Sequence, residues 1–125
     1  MKIFNPFVFC IIALIFYSCN KEDEVNCTEE FRFIGVNVEG DSLSDYFTIR
    51  QKTLDTLRFN QQVVFPEYIW YIILDDSFAS TLKNSSETFT FYGLINDSIV
   101  IQEEYGIEAD ECHISRQSGP DKIVL

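Results

Sequence analysis

Past its first two dozen residues the chain alternates between apolar and polar positions with a period near two, the signature of strands. Phe31–Val38 (FRFIGVNV) is dense in aromatic and β-branched side chains, which favour a pleated, half-buried backbone. Glu39–Asp45 (EGDSLSD) breaks that run with turn-forming Gly and Asp. Tyr46–Gln51 then alternates again, Phe47 and Ile49 against Thr48 and Arg50. Thr53–Phe59 (TLDTLRF) fits a short edge strand after a bulge, although Leu54 and Leu57 also fit one helical turn. Glu67–Leu74 (EYIWYIIL) is apolar on both faces, which predicts a strand covered on both sides or a central sandwich strand whose outer face is shielded. Pro66 stands before it, where a missing N–H costs least. Phe78–Leu82 (FASTL) is predicted as a short strand and Lys83–Glu87 (KNSSE) as a polar turn. Thr88–Leu94 sets Phe89 and Phe91 against Thr88, Thr90 and Tyr92, and Asn96-Asp97 turns the chain into Ser98–Tyr105. A last strand follows IEADECHIS, SGP turns, and KIVL closes the chain. Short strands about 8–12 residues apart, with no amphipathic helix and no internal repeat, predict an all-β sandwich or barrel.

The N-terminal segment has a different grammar. Lys2 precedes an unbroken apolar run, Phe7–Tyr17 (FVFCIIALIFY). That run is shorter than the roughly 20 residues a bilayer-spanning helix needs and has the length of a signal-peptide core. Residues 1–18 are therefore expected to be a signal peptide, residues 19–26 a tether and residues 27–125 the domain. Ser18-Cys19 resembles the lipobox of bacterial lipoproteins, which implies that Cys19 carries lipid. Two or more acyl chains anchor stably where one holds only marginally. Asn20-Lys21-Glu22-Asp23-Glu24 resembles the lipoprotein export signal of Bacteroidota. The resemblance implies that Lys21, Glu22 and Asp23 direct the protein to the outer face of the outer membrane.

The net charge of −11 excludes one class of partner. Nucleic-acid binding needs a basic surface, and this one repels phosphate. The same sign disfavours anionic headgroups, so contact with a membrane is expected through the lipid anchor alone. Of four cysteines, Cys10 leaves with the signal peptide and Cys19 is the lipid site, leaving Cys27 and Cys112. In an exported, oxidising setting these two are expected to form a disulfide. No spacing of Cys, His or acidic residues fits a metal site or a bound cofactor.

Candidate chemistry is sparse. His113, flanked by Glu108, Asp110 and Glu111, could act as a general base or ligand, but one histidine builds no multi-histidine site. It is expected to be structural or on the surface. Glu103, Glu104, Glu108, Asp110 and Glu111 match no calcium-loop spacing and are expected to form a solvated acidic edge. Tyr68, Trp70, Ile72 and Leu74 share one strand face; exposed, they could stack on sugar rings, but such residues are expected in a core. Asp41-Ser42-Leu43, Asp55-Thr56-Leu57 and Asp97-Ser98-Ile99 resemble the O-glycosylation motif of Bacteroidota, which implies candidate sites at Ser42, Thr56 and Ser98.

The C-terminal stretch ADECHISRQSGPDKIVL (Ala109–Leu125), with the early Cys27, resembles the transthyretin-like, carboxypeptidase-regulatory-like sandwiches of small Bacteroidota lipoproteins. That resemblance implies a seven- to eight-stranded Greek-key sandwich, transthyretin-like or immunoglobulin-like, used as a non-catalytic module. The expected function is a surface-exposed lipoprotein that binds a glycan or protein, or braces an envelope assembly. The alternative is a small secreted hydrolase working through carboxylate acid–base residues.

Overall fold

The computed structural model of the chain describes residues 24–125. Cys19, Lys21, Glu22 and Asp23, the expected anchor and export signal, lie outside the described residues. The strands are β1 (Phe33–Glu39), β2 (Asp45–Arg50), β3 (Asp55–Leu57), β4 (Gln62–Val64), β5 (Ile69–Asp75), β6 (Ser85–Ile95), β7 (Ser98–Ala109), β8 (Ile114–Ser118) and β9 (Lys122–Val124). They form a four-stranded sheet, β4-β5-β1-β9, and a five-stranded sheet, β3-β2-β6-β7-β8. The protein is an all-β sandwich, as the strand pattern predicts. Every pairing is antiparallel except β1 with β9.

The core lies between the sheets. Val36, Val38, Tyr71, Ile73 and Leu74 face Phe89, Phe91, Ile101, Tyr105 and Ile107 across it. A β-bulge shapes the first sheet: Ile34 pairs with Leu74 but Gly35 pairs with Ile72, so Ile73 is the extra residue. The insertion shifts the inward phase, and Tyr71, Ile73 and Leu74 are all fully buried. In β2 the inward face is the one with Tyr46 and Thr48, not the more apolar face with Phe47 and Ile49. Thr48 is 1% exposed and donates its hydroxyl to the carbonyl of the bulged Ile73 at 2.8 Å. Phe47 instead stacks on Tyr92 (5.1 Å between centroids), and the Arg58 guanidinium sits 5.1 Å over its ring.

Tyrosines hold three of the crossings between sheets. Tyr71 accepts the Leu43 N–H between β1 and β2 at 2.9 Å. The Tyr46 hydroxyl donates to the Phe59 carbonyl (2.5 Å) and is 3.0 Å from that of Gln61, between β3 and β4. The Tyr105 hydroxyl donates to the Pro120 carbonyl (2.7 Å) between β8 and β9. Burial pushes all three phenols above their ordinary pKa, so each stays neutral. At the last crossing Gly119 has φ +111°, and a Cβ there would stand 2.4 Å from the Tyr105 ring, so the turn needs glycine.

The fourth crossing corrects the expectation of a strand over Phe78–Leu82. Asp76–Phe78 is a 3₁₀ turn running into a short helix, α1 (Ala79–Leu82). Asp75 caps it by accepting the Ser77 N–H at 3.0 Å, and Ala79 and Leu82, three apart, turn inward. The predicted KNSSE turn shrinks to Lys83-Asn84, because β6 already starts at Ser85.

Candidate functional site

The outer face of the four-stranded sheet carries a groove floored by aromatic side chains. Val63, Trp70, Asn37 and Lys122 occupy one cross-strand row, pointing away from the core that Val36 and Val38 enter. The Trp70 indole lies across Gly35, where a Cβ would approach its Cε2 to 2.6 Å, and meets Phe33 with ring centroids 5.0 Å apart. At the β4–β5 turn, closed by the Phe65 N–H to Tyr68 carbonyl bond, the Phe65 and Tyr68 rings stack at 4.6 Å. Phe33, Asn37, Val63, Phe65, Tyr68, Trp70 and Asp121 line a hollow of ≈ 500 Å³. A second hollow of ≈ 260 Å³ continues past Trp70, Phe33 and Asp121 to Gly35 and Arg116.

The expectation that Tyr68, Trp70, Ile72 and Leu74 form one core face is thus corrected. The bulge at Ile73 sends Leu74 into the core, while Tyr68 and Trp70 stay half-buried on the outside. Phe33 and Phe65 are 44% and 42% exposed, and Val63 is 39% exposed. Asn37 Oδ1 is the one buried side-chain oxygen or nitrogen among the described residues without a hydrogen-bond partner. Such an atom costs free energy unless something supplies a donor. The groove therefore combines exposed aromatic surface with an unmet polar group. The sequence pointed to Trp70 and Tyr68 but gave no sign of β4, Phe33, Asn37 or Asp121.

A second cluster sits where the chain enters the sandwich. Cys27 and Cys112 form the expected disulfide, with S–S 1.99 Å and Cα atoms 5.3 Å apart. Beside it the Asp76 carboxylate accepts the N–H groups of Arg32 (2.7 Å) and Ile114 (2.9 Å), and its Oδ2 is 2.7 Å from His113 Nδ1. His113 Nε2 lies 2.8 Å from Thr28 Oγ1. With Nδ1–H donating to the carboxylate, Nε2 accepts the threonine hydroxyl. Burial works against the charge on Asp76, but the two backbone N–H groups and the imidazole outweigh it and hold the carboxyl below its ordinary pKa.

Hydroxyl, imidazole and carboxylate follow one another as in an acyl-transfer relay. Here the chain spans three segments: the arm before β1, the 3₁₀ turn, and the β7–β8 turn. The side chains of His113 and Asp76 are 9% and 6% exposed, and neither residue lines the hollows described above. The backbone N–H groups of Arg32 and Ile114 are bonded to the carboxylate and tie the arm and β8 to the 3₁₀ turn. The cluster clamps the arm to the sandwich. His113 is buried at 8% exposure, a structural position rather than a surface one.

The acidic segment is divided by the topology. β8 pairs with β7 only over Gly106–Ala109, so Glu103 and Glu104 lie on an uncovered half of β7 and keep its edge charged. Glu108 accepts from the Ser115 hydroxyl at 3.2 Å. Asp110 accepts the N–H groups of His113 and Cys112, which hold its carboxyl below the ordinary value and fix the β7–β8 turn. Glu111 is exposed. Among the described residues no group of three or more His, Cys, Asp or Glu could hold a metal ion. Ser42, Thr56 and Ser98 are all exposed, in the β1–β2 turn, on the edge strand β3 and at the β6–β7 turn. Comparison with protein-family models, curated proteins and solved structures finds no match to this chain.

Proposed function

We propose that the chain is a lipid-anchored, surface-exposed lipoprotein of the outer membrane, acting as a non-catalytic binding or envelope-assembly module. Cys19 carries the lipid, Lys21, Glu22 and Asp23 give the export address, and the outer face of the β4-β5-β1-β9 sheet is the binding surface. One observation carries the binding half of this reading: a groove of aromatic rings, left open on a face the core does not need, beside an unpartnered Asn37 oxygen. Surface aromatics with few neighbours to cover them mark interaction sites more often than chance exposure does. The sequence before residue 24 carries the other half.

Metabolic labelling with a fatty acid is expected to tag the wild type and spare Cys19→Ala. Protease added to intact cells is expected to remove the domain, and alanines at Lys21, Glu22 and Asp23 to protect it. Equal labelling of both forms, or wild type that resists protease until lysis, rejects the anchor and the display respectively.

A hydrolase is the second reading. Surface carboxylates such as Glu103 and Glu104 have no cleft beside them in the hollows described, so the arrangement favouring it is Thr28–His113–Asp76. Turnover of an ester or peptide substrate, lost on His113→Gln, would establish it in place of the binding module.

A further inference from the structure

We infer that the groove across Trp70 takes a neutral oligosaccharide, a chain of sugar rings stacked on Trp70, Tyr68 and Phe65 with hydroxyls reaching Asn37 and Asp121. The inference rests on the binding-module reading and names its ligand. Three observations select this chemistry.

The first is where the groove lies. β5 is paired on both sides by β4 and β1, and β1 by β5 and β9. In the row through Trp70 the backbone is paired on both sides, Trp70 with Val63 and Asn37 and Asn37 with Lys122, so the floor there offers a ligand only side chains. A peptide lying there would lose water from its own amides and find few partners for them, which is costly. A sugar ring separates the two demands. Its C–H face is apolar and stacks on an aromatic ring, while its hydroxyls ring the edge and need polar groups only at the rim.

The second is the matching arrangement of the groove. Rings and apolar side chains (Phe33, Val63, Phe65, Tyr68, Trp70) form the surface, and Asn37 and Asp121 stand among them as polar groups. Asn37 lines the hollow, its buried Oδ1 has no donor in the protein, and turning the amide over presents that oxygen to a sugar hydroxyl. Asp121 is an acceptor for hydroxyls and repels an acidic sugar, as does the overall charge of −11. Lys122, in the same row as Trp70, is tied to Glu39 at 2.6 Å, and Arg116, which lines the smaller hollow with Asp121, leaves the groove with one charge of each sign. A neutral ligand follows.

The third is extent. The ≈ 500 Å³ hollow falls within the roughly 300–1,000 Å³ of small-molecule sites, and the ≈ 260 Å³ hollow meets it at Trp70. A site continued on past its central ring suits a chain of rings better than one sugar.

Trp70 is the only tryptophan in the chain, so its emission reports this groove alone. The test titrates the full chain, purified in detergent, with neutral hexasaccharides of β-1,4-glucan, β-1,4-mannan, β-1,4-xylan and α-1,4-glucan. At least one is expected to change the emission saturably. Phe65→Ala, a 42% exposed side chain, is expected to weaken that binding about 2- to 10-fold without altering the melt, the range an aromatic contact supplies. Tyr68→Ala and Asn37→Ala are expected to weaken it too. Emission unmoved by every hexasaccharide overturns the proposal, as does binding that survives all three substitutions unchanged. A response only to an extended hexapeptide of alternating threonine and phenylalanine assigns the groove to protein and also overturns it. Fatty-acid labelling and protease protection do not involve the groove, so they stand or fall separately.

Discussion

The arm end of the sandwich and the outer face of its smaller sheet treat polar atoms in opposite ways. At the arm end the buried side chains are partnered: Asp76 collects Arg32, Ile114 and His113, His113 reaches Thr28, and a disulfide lies beside the set. On the face, rings stand in the open and Asn37 Oδ1 has no partner. Matched polar groups and a covalent link secure the segment that precedes β1. Unmatched surface adds nothing to the fold, whereas the matched cluster does. Stability and binding are therefore expected to be separable by substitution.

The largest expected effect is at the arm. Replacing Cys27 and Cys112 by serine opens a loop with a sequence separation of 85 residues. In the chain-entropy account such a loop is worth up to about 4–5 kcal/mol. Thermal melts should fall by many degrees, while emission titration at a temperature where the variant stays folded should still show ligand in the groove. A melt unchanged on losing the disulfide would mean that the arm contributes little to the fold.

Next comes Asp76→Asn, which keeps the shape and removes the charge. Hydrogen bonds to a charged group contribute about 1.5–3 kcal/mol together with the cost of unmatched donors. The pH dependence is the sharper reading. Because the folded carboxyl titrates below its ordinary value, its stabilisation is present above that value and is lost as pH falls through the lower, folded one. Denaturant unfolding of the wild type should weaken on acidification below about pH 4, the unfolded carboxylate range. The Asn variant, already weaker at pH 7, should lose less over the same interval. Parallel curves for the two proteins would remove Asp76 from the account.

Gly35→Ala tests the face. Its Cβ would stand 2.6 Å from the Trp70 ring, so the half-buried indole must shift. The Cβ would also stand 2.8 Å from the Tyr71 carbonyl oxygen, which is backbone, so the cost to stability should be about 1–3 kcal/mol, the usual range for overpacking. Ligand affinity should suffer more than stability, since the indole leaves its position. Smallest of all is Phe65→Ala, expected to change stability by no more than about 0.5 kcal/mol. If Phe65→Ala destabilised the protein as much as Asp76→Asn, the division between the two regions would fail.

Much of the strand order was legible because alternation reports the period of a strand directly. β6 shows this well: Phe89 and Phe91 enter the core while Thr90 and Tyr92 turn away. The edge-strand reading of Thr53–Phe59 holds as β3, with the chain entering it through Leu54 at φ +61°. Asn96 and Asp97, at φ +48° and +64°, make the tight turn their residue types imply. The helical turn at Ala79–Leu82 was missed although its signals were present, an Asp75 cap followed by apolar residues three apart. Five residues are too few for a period to separate helix from strand.

For the groove, alternation failed for a different reason. It says that two faces differ, or that both are apolar, but it cannot say which face meets the other sheet. In β2 the more apolar face lies outside, because Thr48 finds the Ile73 carbonyl and Tyr46 the carbonyls of the β3–β4 crossing. In β5 one inserted residue, Ile73, sends Leu74 inward and leaves Trp70 outside, and no local pattern in EYIWYIIL announces it.

By itself, then, the sequence determined the strand-rich class, the pairing of Cys27 with Cys112, and the acidic net charge. These depend on residue type and period, which are local. Only the tertiary structure decided that Asp76, His113 and Thr28 meet, and that Phe33, Asn37, Trp70 and Asp121 share one groove. Both sets gather residues far apart in the chain, and a bulge and four crossings between sheets fix where they land. Register and crossing are settled by how one sheet packs on the other, and that information is spread over the whole chain.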